Sequence, residues 1–324
     1  MKHGANIYKY AKELQCKPEE IIDFSSNINL YDKPLFPKVD TKRYGDPTYN
    51  SLKKIIAKRY GLKKSNIALF NGASSAIFYL LGFLQEKNVT LYAPLYGEYE
   101  AASFGKKVQK INRFEELYKK PKKNSIVVFV NPATPDGKYY DLKKLFTIWK
   151  EQNATVILDE SFLEFENLPS LRKEIDNYKK LYIIQSFSKF YSCAGVRVGA
   201  IFSHKKNIQK FQLPMWNLSS FDAAFLQERL KDKTFVKKSI KHHQKRKKEL
   251  QKILKEHFRV FESDANFFLV KADKTLFKKL LKHKILTRPC GSFDFLDDGY
   301  IRFAVKDKKS HKKLQKVLEN ISIK

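Results

Sequence analysis

The sequence predicts an α/β protein, with a large unit built on a mainly parallel sheet flanked by helices and a smaller α+β unit beside it. Three observations predict this. Short, continuous apolar runs recur between about residues 50 and 210, as expected for strands covered on both faces. Helical patterns separate several of these runs, and that alternation favours a parallel sheet. Past Pro214 the alternation gives way to a long charged helical stretch, followed by short strands and helices. The 324 residues suffice for one large core and a smaller one. The expected division is 30–215 for the large unit, with 1–29 and 216–324 forming the small one.

The elements follow in order. Leu52, Ile55, Ile56 and Tyr60 recur at helical spacing behind Tyr49-Asn50-Ser51, a capping region. Ile67 to Phe70 reads as a short buried strand, and an apolar helix starts at Ser74 or Ser75 and runs through Leu84. Val89 to Tyr92, Ile126 to Val130, Thr155 to Leu158, Leu181 to Gln185 and Val198 to Phe202 are further strands, with a helix over Asp141 to Glu151. In the second unit one long helix is expected over Asp222 to His257. Strands follow at Arg259 to Phe261, Phe267 to Val270 and Tyr300 to Val305, with helices at Thr275 to His283 and Ser310 to Ile321. The first thirty residues are expected to join the smaller unit or to cross a subunit interface.

Composition narrows the class. A chain that is 43% hydrophobic and 14% aromatic predicts a packed globule. The net charge of +30 raises nucleic acid as a partner, but the lysines are spread along the whole chain. Even the densest patch, His242 to Lys248, reads as the solvated face of a helix, so no nucleic-acid role is expected. The three cysteines, Cys16, Cys193 and Cys290, form neither a disulfide framework nor a zinc pattern. No secretory signal and no bilayer-length apolar run stand out, so a cytoplasmic protein without membrane or metal partners is expected.

Four segments at predicted strand ends carry chemistry, and open α/β sheets bind ligands at the carboxyl ends of their strands. Asn71-Gly72-Ala73-Ser74-Ser75-Ala76 offers small residues at a helix start, where backbone N–H groups can approach a phosphate. Asn131-Pro132-Ala133-Thr134-Pro135-Asp136-Gly137 alone reads as an ordinary turn. Asp159 ends an apolar strand, where an acid is costly to bury without a cationic partner such as a protonated pyridine nitrogen. The run Ser186 to Gly199 combines Ser186, Lys189 and Arg197 in a small-residue turn. That set suits a lysine imine to an aldehyde cofactor whose phosphate is held by hydroxyls and a guanidinium.

In this order the four segments resemble the fold-type I enzymes that use pyridoxal 5′-phosphate, the aspartate-aminotransferase superfamily. The resemblance implies that Lys189 forms the imine with the cofactor, that Asp159 keeps the pyridine nitrogen protonated, and that Asn131 bonds the phenolic oxygen. Tyr96 would stack on the ring. Ala73, Ser74, Ser186 and Arg197 would contact the phosphate. Tyr44, in Arg43-Tyr44-Gly45-Asp46-Pro47, resembles the tyrosine that reaches the neighbouring subunit's cofactor, which implies a homodimer with shared active sites. Arg302 matches the arginine that binds the substrate carboxylate.

Two subfamilies fit this length: histidinol-phosphate aminotransferase and the threonine-phosphate decarboxylase group. The opening His3-Gly4-Ala5-Asn6, the block Asp23 to Asn29, and Phe162 where aminotransferases usually place tyrosine resemble the decarboxylases. By that resemblance His3 and Arg288 would bind a substrate phosphate, Asn27 would lie near the carboxylate, and Lys138 is a further candidate for contacting an anion. The expected activity is decarboxylation of O-phospho-L-serine or O-phospho-L-threonine, the choice between them left open. The alternatives are transamination of histidinol phosphate and a binding module that has lost catalysis, against which the intact Lys189, Asp159 and Arg197 argue. Gly45 stands where proline is common, and Trp216 to Ser219 matches the family's tryptophan block only roughly.

Overall fold

The computed structural model describes residues 6–31 and 33–321. Its centre is a seven-stranded sheet in the order Ile67–Asn71, Val198–Ser203, Leu181–Ser186, Thr155–Asp159, Ile126–Val130, Asn88–Ala93, Lys107–Asn112. From Leu181–Ser186 outward to Lys107–Asn112 every pairing is parallel. Val198–Ser203 is antiparallel to both of its neighbours. Ile67–Asn71 therefore runs with the parallel set, and its carboxyl end lies on the same edge as theirs. Val198 begins at that edge, opposite Asn71, so Arg197 enters it from the other direction.

The three central strands are buried along their whole length, which explains their unbroken apolar runs. Lys107–Asn112 was not expected as a strand. It lies at the sheet edge, and Ile111 is its one fully buried residue, so its lysines and polar side chains leave no apolar run to read.

The single long helix expected over Asp222 to His257 is two helices, Ser220–Lys231 and Lys233–Lys255. The break is Asp232, whose carboxylate accepts from the backbone N–H groups of Thr234 and Phe235 and caps the second helix. The charged pattern runs through this point without a breaker, which conceals the cap. Phe225, Leu226 and Leu230 of the first helix join the same apolar cluster as Leu52 and Ile56.

A four-stranded antiparallel sheet, in the order Arg288–Pro289, Tyr300–Ala304, Phe267–Lys271, Arg259–Val260, forms the second layer system. Leu250 and Leu254 on one helix and Leu314 and Leu318 on Lys308–Asn320 share an apolar cluster with its residues Phe268, Val270, Ile301 and Phe303. The N-terminal segment is tied here, since Ile22–Asp23 pairs with Ile285–Leu286 and Phe24 is buried in the same cluster. The next residues thread toward the sheet edge. Ser25, Ser26 and Asn27 carbonyls accept from Arg302, Lys306 and Asn266, and Asn29 N–H donates to the Lys189 carbonyl at 2.9 Å. No helix among the described residues is long and apolar enough to cross a membrane.

Candidate active site

The strand ends converge as the motif spacing requires. Asn71, Ala93, Val130, Asp159 and Ser186 terminate neighbouring or near-neighbouring strands on one edge. Asp159 is 6% exposed. Its Oδ2 accepts from the Tyr99 hydroxyl at 2.7 Å, and its Oδ1 accepts from the backbone N–H of Ser161 at 2.9 Å and from the Ser161 hydroxyl. Burial pushes its carboxyl up, against those hydrogen bonds and the nearby Lys189. Neither Tyr99 nor Ser161 was singled out in the sequence. Ser161, two residues past the acid, is the usual reach of an Asx turn; Tyr99, one helical turn after Tyr96, carried no signal of its own.

Lys189 is largely enclosed. Its ammonium is held down to about 8 by burial first, then by Arg302 and Arg197, with Asp159 opposing. These three charges define its surroundings. The amine loses its proton more readily than a free lysine does, which nucleophilic attack on an aldehyde requires.

A glycine-containing turn lies at the same edge, beside Arg197. Gly72 has φ of +77°, and a Cβ there would come 2.7 Å from an Arg197 guanidinium nitrogen. Gly72 starts the twelve-residue helix Gly72–Phe83 with Ala73 and Ser74 in its first turn. A Cβ on Gly199 would lie 2.5 Å from the Ala73 nitrogen, so only glycine lets this strand support the turn. Ser186 and Ser188 hydroxyls are 2.8 Å apart. The Tyr96 side chain is hydrogen-bonded with Ser74 and feels Asp159 and Arg197, and burial is the main cause pushing its hydroxyl up.

Asn131 is held by the backbone of Tyr140. Its Oδ1 accepts from Tyr140 N–H at 2.8 Å, and its Nδ2 donates to the Tyr140 carbonyl at 3.0 Å. That leaves one amide hydrogen to give elsewhere. Arg302 is buried, donating from its two terminal nitrogens to the Thr134 hydroxyl at 3.0 Å and the Ser25 carbonyl at 2.9 Å. Its Nε meets no acceptor among the described residues, and burial lowers its ionisation to about 10. Arg288 is 3% exposed and donates to the Pro289 carbonyl and the Ser292 hydroxyl. Asn27 is buried beside Ser25 and Ser26. Lys138 sits over the Tyr140 ring, 5.7 Å from its centre.

Two expected residues stand apart. His3 lies outside the described residues. Tyr44 is 82% exposed and stacks on Trp216 with ring centres 4.5 Å apart, at the surface of its own chain.

The residues present fit pyridoxal phosphate. A buried acid receives only neutral hydrogen bonds and so suits a cationic ring nitrogen. An amine of lowered basicity lies close enough to interact with it, and a glycine turn beside a guanidinium suits the phosphate. Fold and site together define a pyridoxal-phosphate enzyme of fold type I, and its cofactor is pyridoxal 5′-phosphate. The chain belongs to the aminotransferase class I and II family, whose model matches residues 1–321. It is 33% identical to the adenosylcobalamin biosynthesis bifunctional protein CobDQ of Leptospira interrogans, over 98% of this chain and 41% of that relative, so it spans less than half of that protein. The solved histidinol-phosphate aminotransferase of Clostridium acetobutylicum is 30% identical with a TM-score of 0.82, covering 92% of this chain and 98% of that one. The L-threonine-O-3-phosphate decarboxylase of Porphyromonas gingivalis shares the fold, with a TM-score of 0.77 at 21% identity over 98% of this chain and 96% of that one.

Proposed function

We propose that the protein decarboxylates an O-phospho-L-amino acid, phosphoserine or phosphothreonine, with Lys189 as the residue that carries the cofactor. The observation that carries this reading is the pair Arg288 and Arg302, in register on neighbouring strands at the site. Two buried guanidiniums suit a substrate with two anionic ends. Arg302 takes the carboxylate and Arg288 the phosphate, and bidentate hydrogen bonding suits both groups. Asn27 lines the carboxylate end, and His3 is a candidate second phosphate contact.

The bound cofactor supplies an electron sink for the pair of electrons left at Cα. Asp159 would keep the ring nitrogen protonated, and Tyr99 and Ser161 orient Asp159. Tyr96 would cover one face of the ring, Asn131 would donate to its phenolic oxygen, and Ala73, Ser74, Ser186 and Arg197 would hold its phosphate. Lys189 would supply the proton that Cα takes up in place of the departed carboxylate. Phe162 supports decarboxylation over transamination. Its ring packs edge-on against Phe267, with centres 5.1 Å apart, and Arg302 lies 4.9 Å over the Phe267 ring. An apolar wall beside the carboxylate favours its departure as neutral CO₂.

Exposure of the aromatic Tyr44 supports a homodimer in which it reaches the partner's cofactor phosphate. Likeness to the Clostridium enzyme supports a second reading, transamination of histidinol phosphate. Holoenzyme given O-phospho-L-serine or O-phospho-L-threonine without a keto acid should release CO₂. Absence of CO₂, with amine transfer from histidinol phosphate that depends on a keto acid, would overturn decarboxylation in favour of the second reading.

A further inference from the structure

A buried ion pair outside the predicted site residues is joined to Arg302 through Thr134. Arg113, just past the edge strand, is 2% exposed, as is Asp136. All five guanidinium hydrogens of Arg113 are placed. Nε donates to the Pro94 carbonyl at 3.1 Å. One terminal nitrogen donates to Asp136 Oδ2 at 2.9 Å and to the Tyr140 hydroxyl at 2.8 Å. The other donates to Asp136 Oδ1 and to the Thr134 carbonyl at 3.3 Å. Five donors is the full capacity of the side chain.

We propose that Arg113 and Asp136 are positioning residues for the carboxylate anchor: they fix Thr134, whose hydroxyl aims Arg302, and so set the preference for amino acids over the matching amines. This deepens the reading of Arg302 given above and rests on it. Thr134 supplies one of the two hydrogen-bond acceptors that Arg302 has among the described residues. Its backbone is clamped by Arg113 on one side. On the other, the turn closes through Gly137 N–H to the Ala133 carbonyl at 2.8 Å. Gly137 has φ of +82°, and a Cβ there would come 2.1 Å from the Ser263 hydroxyl, so the turn is also pressed against the smaller unit that bears Arg302. The Pro94 carbonyl places the same guanidinium two residues from Tyr96. One cation thus locates the loop bearing the ring-covering tyrosine and the loop that orients the carboxylate arginine. Burying this pair carries a desolvation cost that a simple turn would not require.

The test compares ligands that differ only by the carboxylate. Holoenzymes of wild type, Asp136→Asn, Arg113→Lys, Thr134→Val and Arg302→Ala are titrated with O-phospho-L-serine and with phosphoethanolamine, following the cofactor's visible spectrum by rapid mixing. Wild type should prefer the amino acid, and Arg302→Ala should erase that preference. Asp136→Asn and Arg113→Lys should weaken O-phospho-L-serine about tenfold, the scale of one charge-assisted hydrogen bond, and phosphoethanolamine less than twofold. Thr134→Val disturbs neither buried charge and should give the same pattern. A preference lost in Arg302→Ala but kept in Asp136→Asn, Arg113→Lys and Thr134→Val overturns this inference alone. Equal weakening of both ligands overturns it too, since a merely structural pair would act that way. A preference that survives Arg302→Ala overturns the anchor assignment and the inference with it.

Discussion

Arg288 and Arg302 are direct cross-strand partners, Cα opposite Cα, in the antiparallel pair that ends the four-stranded sheet. Like charges in that position repel, and after burial itself Arg288 contributes to the depressed ionisation of Arg302. The pair suits a ligand that brings two negative groups.

Substitution of either arginine should therefore split by ligand. Arg302→Ala should raise KM for every amino acid substrate. Arg288→Ala should raise it for the phosphorylated ones only. Loss of a charge-assisted hydrogen bond is worth about 1.5–3 kcal/mol, or roughly ten- to a hundredfold in KM. Steady-state kinetics on O-phospho-L-serine and L-serine measures both. Equal losses from Arg288→Ala on the two substrates would remove it from the phosphate role.

The strands that hold the site were legible because burial on both faces leaves unbroken apolar runs, as in Ile126–Val130 and Thr155–Asp159. The edge strand Lys107–Asn112 was not, because its pairing is a backbone property that its polar side chains do not record. Residues that carry chemistry in the family pattern, such as Lys189 and Asp159, could be read from motifs. Their supports could not. Arg113 and Asp136 are 23 residues apart, and Tyr99 and Asp159 are 60 apart. Only the folded sheet edge brings either pair together.

The basicity of Lys189 gives a pH prediction. Its ammonium titrates near 8 in the folded protein, mainly through burial and then through Arg302 and Arg197. The neutral amine, and with it the rate at which apoprotein takes up pyridoxal phosphate, should rise with pH through about 8 and level off above it. Arg302→Ala removes a neighbouring cation, so the midpoint should move up, toward that of ordinary lysine. Stopped-flow growth of the visible band between pH 6.5 and 10 reads this. The sign for stability is the reverse of a salt bridge's: because the folded value lies below the unfolded one, this lysine costs stability as pH falls from the unfolded value toward 8. A midpoint that moves down in Arg302→Ala would contradict the assigned electrostatics.

Tyr99→Phe tests the support of Asp159. It deletes the 2.7 Å hydrogen bond to Oδ2 while keeping the buried ring. The carboxylate becomes harder to keep ionised, and its hold on a cationic ring nitrogen weakens. A net cost of about 1 kcal/mol corresponds to roughly a fivefold loss in cofactor affinity. Equilibrium binding of pyridoxal phosphate to apoprotein measures it, and an unchanged affinity would show that Ser161 suffices.

Two glycines of the same helix-and-strand unit should respond to alanine in opposite directions. At Gly199 an added Cβ would meet backbone atoms of Gly72 and Ala73 at 2.5–2.8 Å, and neither can yield without moving the turn that forms the phosphate cradle. Overpacking of that kind costs about 1–3 kcal/mol, and cofactor affinity should fall with the displaced N–H groups. At Gly82, exposed near the end of the helix Gly72–Phe83, an added Cβ meets nothing within 4 Å. There alanine removes backbone freedom from the unfolded chain and should stabilise by about 0.5–1 kcal/mol. Chemical denaturation of the apoproteins gives both signs, and pyridoxal phosphate titration separates them further. Gly82→Ala should bind as wild type does, whereas Gly199→Ala should bind poorly even where it remains folded. Wild-type cofactor affinity in Gly199→Ala would mean that the close approach of this strand to Ala73 plays no part in forming the cradle.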